Sequence, residues 1–243
     1  MNRINSKAAV LSVAAVMGFT AFASADTVDM KYTGTGKGSN VKVTLTSNTF
    51  DVFAGQLKHT MQNGTGTGAN LNGNYITFCS DLYETVTSSY KTYTLTDLNN
   101  LPDSSPMGYA RAGALWNIYQ AFGSAALNTN ANNDLAAAFQ IAIWEIVTDF
   151  NPNTGLASLN VTTGSFKAKK TDGNALSGAI ATNLNNIFNA AVANVSADPS
   201  LFLTGLKHST AQDQIVATTT TIPTPATGAL AALGLLCMGR RRR

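Results

Sequence analysis

From Val28 to about Phe53 apolar and polar residues alternate, as in Val41-Lys42-Val43-Thr44-Leu45-Thr46, and clusters of Gly, Ser and Asn bound the runs. A period of two predicts two or three antiparallel strands with one face buried. Residues 63–74, with a Gly-Thr-Gly-Thr-Gly core, predict a flexible loop. Tyr75-Ile76-Thr77-Phe78-Cys79 reads as a strand with Tyr75, Thr77 and Cys79 on one face, and residues 90–95 as another.

The middle of the chain changes period. Ser105 followed by Pro106 predicts a helix start, and Gly123 its stop. Between them Tyr109, Ala112, Leu115, Trp116, Tyr119 and Phe122 recur at spacings of three and four, the mark of one apolar face. A second helix should open at Asn132 or Asn133, with Asp134 favourable in its first turn, and run to about Phe150 before Pro152. It is apolar on nearly every side from Leu135 to Trp144, which predicts burial all round. A third helix is expected over residues 174–195, and short strands over 201–206 and 214–218. Strands, helices and strands again predict an α+β domain, with helices packed on a β-barrel or sandwich body.

The ends read differently. Residues 1–25 carry Arg3 and Lys7, an apolar stretch, and Ala23-Ser24-Ala25, the layout of a secretory signal peptide with an A-x-A cleavage site. Residues 218–243 form a Thr-rich linker, then Pro223-Thr224-Pro225, an apolar run and Arg240 to Arg243. That run is short for a bilayer span, which needs roughly 20 apolar residues. With the arginines behind it, it resembles a PEP-CTERM sorting signal, although Thr224 stands where that motif usually has Glu. The resemblance implies an exosortase-like processing enzyme and membrane attachment through the tail before processing. The expected product is exported to the cell surface or beyond, with residues 26–217 as its folded domain.

Six of the 16 basic residues lie in these ends, leaving ten against 13 acids and a net charge near −3 for the domain. A nucleic-acid partner would need clustered Lys and Arg and is not expected. Lys167, Lys169 and Lys170 form the one local basic cluster and read as a solvated loop. Metal-ligand spacing and phosphate-binding Gly-rich loops are absent from the sequence, so no metal or cofactor is expected.

Cysteine usage narrows the chemistry. Cys237 lies in the tail, so Cys79 is the sole cysteine of residues 26–217 and has no intramolecular disulfide partner. Gln140 is the only polar residue between Leu135 and Trp144, and an unpartnered buried amide costs roughly 1–3 kcal/mol. One bond would resolve both. Attack of the Cys79 sulfur on the Gln140 carboxamide, with loss of ammonia, gives an internal thioester reactive towards amines and water. Asp81, and Tyr83 with it, would share the Cys79 face if the strand continued, making Asp81 a candidate acid/base or orienting group. Phe78 and Trp144 are the bulky neighbours able to exclude water.

Phe78-Cys79-Ser80-Asp81 followed by Gln140-Ile141-Ala142-Ile143-Trp144 resembles the Cys–Gln thioester domain of bacterial surface adhesins. The likeness takes in Gly113-Ala114-Leu115-Trp116 and Gln212-Asp213-Gln214, and Phe139 stands where those adhesins commonly have Thr. The resemblance implies a β-rich body with a helical subdomain and the bond at their junction. It also implies covalent capture of an amine, typically a lysine, on a target protein or polysaccharide. Cys79 and Gln140 would form the bond, with Asp81 and Trp144 as supporting positions. No enzymatic turnover is implied. Two other readings are a non-covalent structural or biofilm protein, in which the bond only stabilises or is absent, and a cysteine hydrolase using His59 or His208.

Overall fold

The computed structural model describes residues 25–193 and 201–218. The stretch expected to be a signal peptide, up to residue 24, and the tail from residue 219 lie outside the described residues. Among the described residues no helix is long and apolar enough to cross a membrane.

The fold is α+β. Its strands are β1 (Thr27–Leu45), β2 (Asn48–Gln62), β3 (Gly73–Cys79), β4 (Lys91–Thr96), β5 (Phe166–Lys170), β6 (Phe202–Lys207) and β7 (Gln214–Thr218). Its α-helices are α1 (Gly108–Ala126), α2 (Asn133–Asp149) and α3 (Gly178–Ala191). All strand pairs are antiparallel. They run β1-β2-β3-β7-β6-β4 and return to β1, while β5 adds to the far end of β1. The alternation predicted at the start of the chain therefore becomes one long hairpin. Irregularities between Tyr32 and Gly38 divide β1 into a half that pairs with β4 and a half that pairs with β5. Gly38 and Gly55 face each other at this bend. A Cβ on Gly38 would lie 2.3 Å from the Ala54 carbonyl oxygen, so the backbones approach too closely for any side chain.

Two apolar clusters follow from this topology. Val28, Met30, Met61, Tyr93, Leu206 and Val216 come from strands around the circuit and pack together on its inner side. Phe78 and Ile215, paired across β3 and β7, belong instead to the larger cluster shared with the helices. α2 is its centre: every residue from Ala136 to Ile146 is buried, as the all-round apolar pattern required. Asn132 caps it by accepting a hydrogen bond from the Asp134 N–H at 2.7 Å.

Several expectations need correction. α1 begins at Gly108 rather than after Ser105. The Ser105 N–H is spent on Pro102 and the Met107 N–H on Leu101, and the chain enters the helix through Gly108 at φ 76°. α1 also passes through Gly123 to Ala126, with the Leu127 N–H closing onto the Gly123 carbonyl. Its buried face is Ala114, Leu115, Ile118, Tyr119 and Ala126, so Trp116 is only half-buried and Tyr109 is exposed. α3 is shorter than the predicted segment, starting where the Ser177 hydroxyl accepts from the Ile180 N–H. The loop over residues 63–74 contains a 3-10 turn, Gly66–Leu71, pinned by the fully buried Leu71.

The lysine cluster is strand β5 rather than a loop. Phe166 and Ala168 point into the core while Lys167 and Lys169 project outward, an alternation too short to outweigh three lysines in a pattern search. Lysines on an edge strand also discourage pairing with another chain.

Candidate functional site

β3 ends at Cys79, and α2 crosses behind it. The ring of Phe78 packs on that of Phe139 with centroids 4.9 Å apart, and Tyr119 of α1 meets the other side of Phe139 at the same separation. Phe139 thereby seats α2 against β3, and Gln140 follows it in the chain.

The Gln140 carboxamide lies against the Cys79 peptide. Its Oε1 accepts the Cys79 N–H at 2.8 Å, and its Nε2 donates to the Cys79 carbonyl at 2.8 Å. Both residues are buried. This two-point pairing extends the β3 hydrogen-bonding pattern with a side chain, because the ladder to β2 stops at Leu57 and Thr77 and would otherwise leave the buried Cys79 backbone groups unpaired. The sulfur sits in a tight turn: its S–H donates to the Asp81 carbonyl, and the Asp81 N–H points back at the sulfur at 3.2 Å.

Burial holds the Cys79 thiol well above its ordinary range, and the charges of Asp81 and Asp213 add to that rise. The Trp144 indole is the largest influence the other way, although its Nε1–H reaches no acceptor at hydrogen-bonding geometry. At rest the sulfur is therefore a thiol rather than a thiolate.

The turn after Cys79 corrects one expectation. β3 does not continue, so Asp81 and Tyr83 do not follow the strand alternation. The Asp81 carboxylate accepts the Tyr83 N–H at 2.7 Å, burial raises its pKa, and Tyr83 projects into solvent at 59% exposure. Asp81 reaches the sulfur through its backbone.

What fixes this turn comes from β7 and the loop before it. The Asp213 carbonyl accepts the Ser80 N–H, and its buried carboxylate accepts the N–H groups of His208 (2.7 Å) and Asp103 (2.6 Å). Burial pushes Asp213 up to about 6, against the effect of those two donors. Gln212 donates to the carbonyls of Asp81 and Glu84 at 3.1 and 3.0 Å.

Behind Gln212 runs a buried polar chain. Gln214 Nε2 donates to Gln212 Oε1 at 3.0 Å, and the Thr77 hydroxyl donates to Gln214 Oε1 at 2.8 Å. That hydroxyl has one proton, so the His59 ring, 3.0 Å away, donates to it from Nδ1. The chain thus links His59 to the carbonyl that receives the Cys79 S–H. His59 has no hydrogen bond to Cys79, and the His208 ring accepts the Thr210 N–H. Neither histidine is placed as a base for the thiol.

The polar chain carries a pH signature. Burial lowers His59 from 6.5 to about 4, so the unfolded chain takes up the proton first as pH falls. Up to ~3 kcal/mol of stability should be lost between those two values. Asp213 and Glu145, raised to about 6 and about 8, act oppositely, contributing stability at low pH that is lost as pH rises through those values. Urea titrations of wild type and His59→Gln at pH 4 to 7 isolate the histidine: the variant should lose less stability on acidification.

Two further residues brace α2. Arg111 of α1 donates to the Thr148 and Phe150 carbonyls at 2.9 and 3.1 Å, capping its end. Glu145, fully buried, accepts the Asn160 N–H at 2.6 Å. An arginine in α1 and an acid in an apolar helix were the sequence signals for both. Trp144 stacks towards Phe166 of β5 at 6.2 Å. Among the described residues no group of three or more His, Cys, Asp or Glu side chains is arranged to hold a metal.

Chemically, the arrangement suits acyl transfer. The Cys79 N–H already faces the oxygen that would gain charge when sulfur attacks the carboxamide carbon. The thiol proton would leave with the amide nitrogen as ammonia. Comparison of the chain with known protein families, curated proteins and solved structures returns no match.

Proposed function

We propose that Cys79 and Gln140 form an internal thioester at the junction of a β-barrel body and its helical layer, and that the exported protein uses it to capture amines for adhesion or matrix attachment. The observation that carries this reading is the paired hydrogen bonding of the Gln140 carboxamide to the Cys79 peptide beside a buried thiol that is in no disulfide. Capture is stoichiometric: an amine takes the Gln140 acyl group and Cys79 is released as a thiol. The target is an amine-bearing surface protein or polysaccharide. The tail over residues 218–243 routes the product to the membrane, where an exosortase-like enzyme processes it.

Methylamine tests this. One equivalent should add, peptide mapping should place it on Gln140, and one titratable thiol should appear per adduct. A thiol that titrates without amine, with no adduct, would sink the proposal.

A second reading has its own support. Both polar ends of Gln140 are satisfied without a covalent bond, so the pair would also hold β3 to α2 as a structural clamp in a non-covalent matrix protein. The methylamine result separates the two.

A further inference from the structure

A cleft of about 240 Å³ opens beside the Cys79–Gln140 pair. Its lining includes Ser80 and Asp81, which follow Cys79 in the chain, and Trp144, one helical turn beyond Gln140 in α2. Cys79 and Gln140 are themselves buried and do not line it, so these three residues are its link to the candidate acyl group. It is somewhat smaller than the roughly 300–1,000 Å³ of sites for drug-sized ligands, and suits a fragment the size of one sugar ring.

Its walls are unusual for a lysine channel, which would present apolar surface to four methylenes. Hydroxyl-bearing residues line it instead: Thr46 from the β1–β2 turn, Ser104 and Ser105 before α1, Ser165 before β5, and the exposed Tyr83, while the Ser80 hydroxyl donates to the Asp213 carbonyl. Leu82 and Val147 supply apolar surface between them. A pyranose has the same division, with hydroxyls around its edge and C–H groups on its faces. The charges are equally selective. Arg111 is turned towards the Thr148 and Phe150 carbonyls, and Asp81, whose carboxylate accepts the Tyr83 N–H, is the acid of the lining, to which an ammonium group would be drawn.

We propose that this cleft is the acceptor subsite of the pair and takes a primary amine borne on a sugar ring, as in a 2-amino-2-deoxyhexose unit of a polysaccharide. The proposal rests on the thioester reading. The ammonium sheds one proton, and the amine nitrogen attacks the Gln140 acyl carbon. A C–N bond forms as the C–S bond breaks, and the second amine proton passes to the departing sulfur, leaving an amide and a thiol.

The test uses the exported protein with glucosamine and with glycinamide, an amine of similar basicity without a ring, each followed by intact mass over time. Glucosamine should add about tenfold faster, the discrimination of one or two net hydrogen bonds. The ratio should fall towards one in Ser104→Val/Ser105→Val. Equal rates for the two amines in wild type overturn the sugar subsite and leave the thioester standing. No addition of either amine to a protein that is short of one ammonia also overturns the subsite. No addition to a protein of full mass with a titratable thiol overturns both.

Discussion

Gln140→Ala, made in a Cys79→Ala background where residue 140 otherwise stays a carboxamide, should destabilise the domain by about 3–5 kcal/mol. The substitution orphans the Cys79 N–H and C=O at the buried end of β3, and each unpaired group costs roughly 1–3 kcal/mol. It also empties space between α2 and β3. Gln140→Met in the same background fills that space while breaking both hydrogen bonds. It should therefore recover only the cavity part, and the remaining deficit measures the clamp. Urea denaturation of the three proteins checks this. Equal stability of the Met variant and its parent would mean that the paired hydrogen bonds contribute nothing.

Trp144→Ala should have the second large effect, on both stability and chemistry. The indole is nearly fully buried against Phe166, and truncating a packed Trp costs about 3–5 kcal/mol. The same side chain lines the cleft and lies one turn beyond Gln140 in α2. Its removal should admit water, so that residue 140 is found as Glu and the thiol becomes titratable in protein that has met no amine. Trp144→Phe keeps an aromatic ring on the cleft lining and loses part of the indole with its Nε1–H, which has no hydrogen-bond acceptor. It should keep the thiol masked. Thiol titration of freshly purified protein distinguishes the two variants, and a masked thiol in Trp144→Ala would remove the protective role assigned to the indole.

Cys79 and Gln140 were legible as a pair because each is an anomaly visible in one dimension: a lone thiol, and a lone amide in an apolar helix. α2 was legible to within a residue or two, since an Asn cap, an acid in the first turn and unbroken apolarity agree. α1 was misread at both ends because tertiary hydrogen bonds of residues 101–107 and the left-handed Gly108 outweigh the Ser-Pro signal. The supports of the site were hidden for another reason. Asp213, Gln214, Thr77 and His59 are polar residues in or beside strands, where polarity alone suggests a solvated face. Only the circuit of pairings, which gives the strands an enclosed side, shows that they are buried. Asp81 was chosen rightly by proximity and wrongly by geometry, because the strand stops at Cys79 and the turn brings its carbonyl, not its carboxylate, to the sulfur.

A covalent bond between Cys79 and Gln140 is tested most directly by the intact mass of untreated, purified protein. The mass should fall short of the sequence value by one ammonia, and the deficit should vanish in Cys79→Ala and in Gln140→Ala. Full mass in the wild type, with one thiol that titrates on unfolding, would contradict the bond and leave Gln140 as a non-covalent clamp on the end of β3.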